Sequence, residues 1–183
     1  MPNTVSTRAI ADKVRQQVSR KRWEHILRVA ELAGEIAKAN GLDPQKAYLA
    51  GLLHDVAREL PEEELVRLCP PQNEVERSHP RSLHGCAGRK IADGWGVDDP
   101  EILDAVEGHV WGVSRGNLLG MAVYVADSSE PGRRVNERIR ELALAGRLRE
   151  AYAQAVAKKV EYLRAKGIPI HPRTLKSYAE TQA

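Results

Sequence analysis

Apolar residues recur along this chain three and four positions apart, and nowhere do they alternate with polar ones over a run long enough to build a sheet. That periodicity confines the chain to helices. The composition agrees, because there is no Phe among the 183 residues and Ala, Leu and Val dominate the apolar set. Small and straight-chain side chains favour helix, whereas a sheet wants more aromatic and β-branched ones.

Punctuation residues divide the stripes. A first helix is predicted over 7–18, and a second carries Trp23, Ile26, Ala30, Ala33 and Ala37 on one face until Gly41 ends it. Asp43 and Pro44 supply an N-cap and a first-turn proline for a third helix running to about residue 57. Pro61 opens a short acidic helix over 62–68, and 69–80 reads as a polar, proline-containing loop. Further helices are predicted over 83–93, from Pro100 to His109, and over 117–127, 135–145, 147–166 and 172–179. The expectation is an all-α bundle of eight to ten helices. A chain of this length supports one domain over 1–183, with a metal-binding core at about 21–135 and helices of 136–183 packed on it.

Some function classes lose support at this level. The formal net charge is +3 and the basic residues are scattered among acidic ones, the pattern of solvated helix faces and not of a nucleic-acid groove. Three Trp and five Tyr give few stacking platforms for RNA. The longest uncharged apolar stretch, 118–126, is too short for a bilayer core of roughly 30 Å. No secretion pattern opens the chain, and Cys69 and Cys86 read as free thiols in a reducing compartment, so a cytoplasmic location is expected.

Chemistry gathers in the histidines. His54 and Asp55 are adjacent at the end of a helix made almost entirely of small and apolar residues. An ionised carboxylate there is costly unless something pairs with it, and a cation would do so. His25 shares a stripe with Val29, Leu32 and Ile36, and His109 follows Ile102 and Val106 on another. His84 begins a helix whose inward positions include Ala87 and Ile91, and Asp127 closes the apolar run from Met121 to Ala126. Each histidine alone reads as a core residue. Together they set imidazoles and carboxylates, the usual ligands of catalytic metals, at the inward edges of different helices.

The order His25, His54-Asp55, Asp127 resembles the signature of the HD phosphohydrolase superfamily, and His84 with His109 matches its two-metal subset. Three longer stretches narrow the resemblance: Ala50-Gly51-Leu52-Leu53-His54-Asp55-Val56-Ala57, Tyr124-Val125-Ala126-Asp127 leading into Glu130-Pro131-Gly132-Arg133, and Lys166-Gly167-Ile168-Pro169-Ile170-His171-Pro172-Arg173-Thr174-Leu175. These are similar to the YqeK family, bacterial HD proteins that cleave diadenosine tetraphosphate symmetrically to two ADP. The likeness runs from about Lys21 to Leu175. Departures fall at Val110-Trp111, where the family has two Thr, at Ser128-Ser129, where it has Tyr and Ile, and at Arg58, where Lys is common.

The resemblance implies that His25, His54, Asp55 and Asp127 hold one metal and that His84 and His109 hold a second, with Asp55 bridging. A mixed imidazole and carboxylate set suits iron, manganese, cobalt or zinc, and the family points to iron. Two metals roughly 3.5–4 Å apart lower the pKa of a water and clamp the phosphate. His54, Asp55 and Arg58 are then expected at the chemistry, with Arg133, Arg58, His84 and His109 against the substrate. Arg133 and Arg58 offer guanidinium donors to phosphate. His171 reads as structural or at a pocket rim, His79 as solvated, and Trp111 as either a base platform or a core or lid residue. The family suggests a homodimer. Two other readings use the same ligands: an HD nucleotidase or phosphodiesterase acting on a mononucleotide or signalling nucleotide, and a non-catalytic nucleotide-binding HD protein. The presence of His54, Asp55 and Asp127 argues against the last.

Overall fold

The computed structural model describes residues 5–183, which form helices and no strand. Eleven α-helices follow one another: α1 Thr7–Gln17, α2 Arg20–Ala39, α3 Pro44–Leu53, α4 Glu62–Leu68, α5 Glu74–Ser78, α6 His84–Gly94, α7 Pro100–Gly108, α8 Leu118–Ser129, α9 Glu137–Leu144, α10 Leu148–Ala165 and α11 Pro172–Gln182. Short 3₁₀ turns at Pro80–Leu83 and Pro131–Arg133 precede α6 and follow α8.

The caps follow side-chain chemistry. Asp43 accepts from the Gln45 and Lys46 amides ahead of α3, and Asp99 from Glu101 ahead of α7, each with Pro at the first helical position. Ser19 caps α2 through the Arg22 amide, and Gly41 leaves that helix at φ 71°.

Helix α8 is the axis of the fold. Every residue from Leu119 to Ala126 is buried, and the helix packs against α2, α3, α7, α9 and α10. A helix apolar on all sides has to be enclosed by others. The main core runs from Ile10 and Val14 of α1 to Val156 and Val160 of α10. A smaller cluster of Ala57, Leu65, Leu83, Ala87 and Trp111 lies beside α4 and α6.

Three expectations need correction. The third helix stops at Leu53, short of residue 57, because His54 Nδ1 donates to the Gly51 carbonyl at 2.6 Å. The following amides then close tight turns, Val56 to Leu53 and Arg58 to Asp55. The stretch 69–80 is more than loop: Asn73 accepts from the Glu76 amide at 3.0 Å and starts α5, which takes the helix count past ten. Cys69 and Cys86 are joined in a disulfide, with Cα atoms 6.2 Å apart. The chain between them folds back so that the end of α4 meets the first turns of α6, a closure that a separation of 17 residues concealed. The free-thiol reading falls, and with it the redox argument for a compartment. No helix among the described residues is long and apolar enough to cross a membrane.

Candidate metal centre

Two close helix contacts assemble this centre. Where α3 crosses α2, a Cβ on Gly51 would lie 2.6 Å from Ala30 Cα, so only glycine permits the approach. That contact brings His54 and Asp55 up to His25. Where α6 meets α7, a Cβ on Gly85 would lie 2.6 Å from the Glu107 carbonyl, and this proximity sets His84 beside His109. Asp127 arrives from the last turns of α8.

All six residues meet. Asp55 Oδ2 lies 3.5 Å from His25 Nε2 and 3.4 Å from His54 Nε2, while Oδ1 lies 3.4 Å from His84 Nε2 and 3.3 Å from His109 Nε2. Asp127 Oδ1 completes the first side, 3.2 Å from His25 and 3.6 Å from His54. The donor atoms of His25, His54 and Asp55 fall within 4.8 Å of one another, as do those of Asp55, His84 and His109. One carboxylate thus faces two imidazole pairs with different oxygens.

Backbone and carboxylate acceptors fix the rings. His54, His84 and His109 each donate Nδ1–H to the carbonyl three residues earlier, at 2.6, 2.7 and 2.6 Å. A carbonyl can only accept, so in the neutral rings Nε2 keeps its lone pair and turns it inward. His25 differs, its Nδ1 meeting buried Glu130 Oε1 at 3.1 Å. Glu130 also accepts from Arg28 Nε at 2.8 Å and from the Gly132 amide at 2.6 Å. The inward Nε2 atoms of His25 and His54 are buried and have no hydrogen-bond partner among the described residues. Oriented imidazoles with inward nitrogens, beside two carboxylates, form a donor set that could hold a divalent metal ion.

The electrostatics fit the same role. Burial works against ionisation of Asp55, but His54, His109 and His84 outweigh it and hold the carboxyl well below its usual range. Asp127 is likewise held well below, by His25 and His54 against its burial. Burial disfavours a charged His54, yet Asp55 and Asp127 raise it to about 9, while His109 is lowered chiefly by burial. Asp55 and Asp127 therefore stay ionised and offer negative charge at the centre.

Cations ring the mouth of the centre. Arg22, Arg58, Arg133 and Lys159 line a cavity of about 260 Å³ together with Asp55, His84, His109 and Asp127. Arg133 Nη2 reaches Asp127 Oδ1 at 2.8 Å, so its partner is a residue of the centre and not neighbouring Glu130. Arg58 has no carboxylate within 4 Å among the described residues, since Glu59 bonds to Ser19 and Glu130 to Arg28 and His25. Two of the four cations were not singled out in the sequence. Arg22 lies three residues before His25, hence on the same face of α2, and reaches Asp55 Oδ2 at 2.8 Å. That spacing was legible. Lys159 had no local signal; it sits on α10, donates to the Val110 carbonyl, and is lowered to about 8 by burial against the pull of Asp127.

The other histidines stand apart. His79 is exposed, whereas His171 is buried and pairs with Glu76 at 2.8 Å. Trp111 is buried and stacks on His171, ring centroids 4.0 Å apart and planes 7° from parallel, with the Arg173 guanidinium 5.4 Å from its ring, so it is a packing residue.

The family model of the HD domain matches residues 22–132, a span that contains all six residues of the cluster. This chain belongs to the HD domain family. A relative in Bacillus subtilis named "Bis(5'-nucleosyl)-tetraphosphatase, symmetrical" is 31% identical over 90% of this HD-domain chain and 91% of its own length. A Mycoplasma genitalium protein named "Probable nicotinate-nucleotide adenylyltransferase/Ap4A hydrolase" is 36% identical over 66% of the chain, and the match spans 35% of that longer protein. The crystal structure of a "predicted HD superfamily hydrolase involved in NAD metabolism" from Clostridium acetobutylicum superposes with a TM-score of 0.90 at 30% identity, over 97% of both chains. The HD fold is therefore shared along the full bundle.

Proposed function

We propose that this chain hydrolyses diadenosine tetraphosphate symmetrically, giving two ADP. One observation carries the reading: Asp55 presents separate oxygens to His25 with His54 and to His84 with His109. A carboxylate so placed suits a pair of divalent cations, and the names of the full-length relatives supply the substrate class. The ligands on this reading are His25, His54, Asp55 and Asp127 on one side, and His84 and His109, sharing Asp55, on the other. Iron is the proposed metal, with manganese, cobalt or zinc as substitutes of suitable ligand preference.

Bound there, divalent cations would supply an activated water and neutralise charge on phosphoryl oxygens. The chain's own residues do the rest. Glu130 and the three backbone carbonyls fix the rings, and Arg133, Arg58, Arg22 and Lys159 hold the polyphosphate. Water oxygen bonds to the β-phosphorus of one half, the bridging P–O bond breaks, and the other half departs as the second nucleoside diphosphate. A released proton passes to solvent. We read 1–183 as one HD unit, acting on a nucleotide in the cytoplasm, without nucleic acid, and as a homodimer.

The reading is tested by adding diadenosine tetraphosphate to chain reconstituted with iron or manganese. Turnover that is lost in Asp55→Asn with helicity intact supports it; an Asp55→Asn variant of near-full activity overturns it.

A further inference from the structure

Among the described residues, the two most exposed large hydrophobic side chains are Tyr162, at 58%, and Val135, at 54%. Both line one cleft of about 570 Å³. This cleft shares His109, Asp127, Arg133 and Lys159 with the mouth of the metal centre, so the two adjoin.

One stripe of α10 forms a wall. Ala155, Lys159 and Tyr162 stand at i, i+4 and i+7, on one helix face and spread over about 10 Å at 1.5 Å per residue. The small Ala155 leaves room, Lys159 brings charge beside the centre, and Tyr162 sets an aromatic ring farther along. The facing wall is the segment after α8. Arg134 and Asn136 both adopt left-handed backbone, φ 57° and 61°, which non-glycine residues seldom do. Asn136 is held there by donating to the Ser128 carbonyl at 2.8 Å and by accepting from Lys158 at 3.0 Å. Such strain persists where the surroundings fix it, and it concentrates at ligand sites. Val135, between the two, lines the cleft.

We propose that this cleft is the nucleoside subsite of the proposed hydrolase, a reading that rests on the nucleotide function above. The diphosphate lies at the cationic end between Arg133 and Lys159, and the base lies on the Tyr162 ring with Val135 against its edge. Stacking tolerates any base because every base has a π-face, so the subsite selects nucleotides over bare polyphosphate more than it selects among bases.

Calorimetric titration of the full chain in manganese tests this, with ADP and inorganic pyrophosphate as probes and wild type, Tyr162→Ala and Tyr162→Phe as proteins. Wild type binds ADP more tightly than pyrophosphate. Tyr162→Ala weakens ADP roughly ten-fold, the order of one aromatic–base stack, and leaves pyrophosphate unchanged, while Tyr162→Phe keeps ADP binding. Equal ADP affinity in wild type and Tyr162→Ala overturns the proposal, as does an equal loss for both probes. If ADP selectivity depends on Tyr162 but the dinucleotide is not hydrolysed, the subsite stands and the hydrolase reading falls.

Discussion

His84 Nε2 lies 3.0 Å from His109 Nε2, and each ring donates its Nδ1–H to the carbonyl three residues before it. In the neutral rings two lone pairs therefore face each other at contact distance. Only a proton or a metal cation between them relieves that arrangement. Metal analysis after reconstitution should find close to two equivalents per chain. One equivalent, unchanged by replacing His84 with Ala, would mean that a proton and not a metal joins this pair.

Glu130 acts on the centre through His25. It is 1% exposed and fixes His25 Nδ1 at 3.1 Å while Arg28 and the Gly132 amide hold its other contacts. Glu130→Gln keeps the shape and removes the charge. Metal affinity should fall roughly 10–100-fold, the usual effect of losing such an orienting partner. Unchanged affinity in a competition titration against a chelator would show that His25 needs no anchor.

Gly51 links the packing to the chemistry. Its missing Cβ lets α3 lie against Ala30, and its carbonyl orients His54. Gly51→Ala should destabilise the fold by about 1–3 kcal/mol, the range for overpacking, and weaken metal binding by moving His54 away from His25. Denaturant unfolding checks the first effect and chelator competition the second. A variant as stable as wild type would refute the tight crossing.

Much of this was legible in the sequence. The six clustered residues stood out because each closes or opens an apolar helical stripe, and the helices follow their caps closely. The third helix ran too long because a histidine side chain competing for the Gly51 carbonyl leaves no trace in periodicity. The helix at 74–78 did leave one: Asn73 followed three residues later by Glu76 is a capping pattern. The Cys69–Cys86 bond and the arrival of Lys159 at the centre depend on chain reversals that place distant residues together. No local spacing encodes either.

Lys159 is predicted to trade stability for binding. Its folded value, about 8, lies below the ordinary 10.5. Between those values the unfolded chain holds a proton that the folded chain has released, so this group makes stability rise with pH through that window. Below pH 8 the half-buried charge is a burden. Lys159→Met should accordingly stabilise the protein at pH 7 by about 1–3 kcal/mol and flatten that rise, while KM for the polyphosphate increases. Urea melts at pH 7 and pH 9.5 decide it; a less stable variant at pH 7 would contradict the assignment.

The most direct test of the account is where the bond breaks. Diadenosine tetraphosphate incubated with metal-reconstituted chain in ¹⁸O-labelled water, followed by product chromatography and mass analysis, reports both products and oxygen. The account predicts two ADP per substrate, one of them carrying a single label on its β-phosphate, and essentially no AMP or ATP. AMP with ATP as the main products, or inorganic phosphate released faster from a mononucleotide than ADP from the dinucleotide, would contradict it.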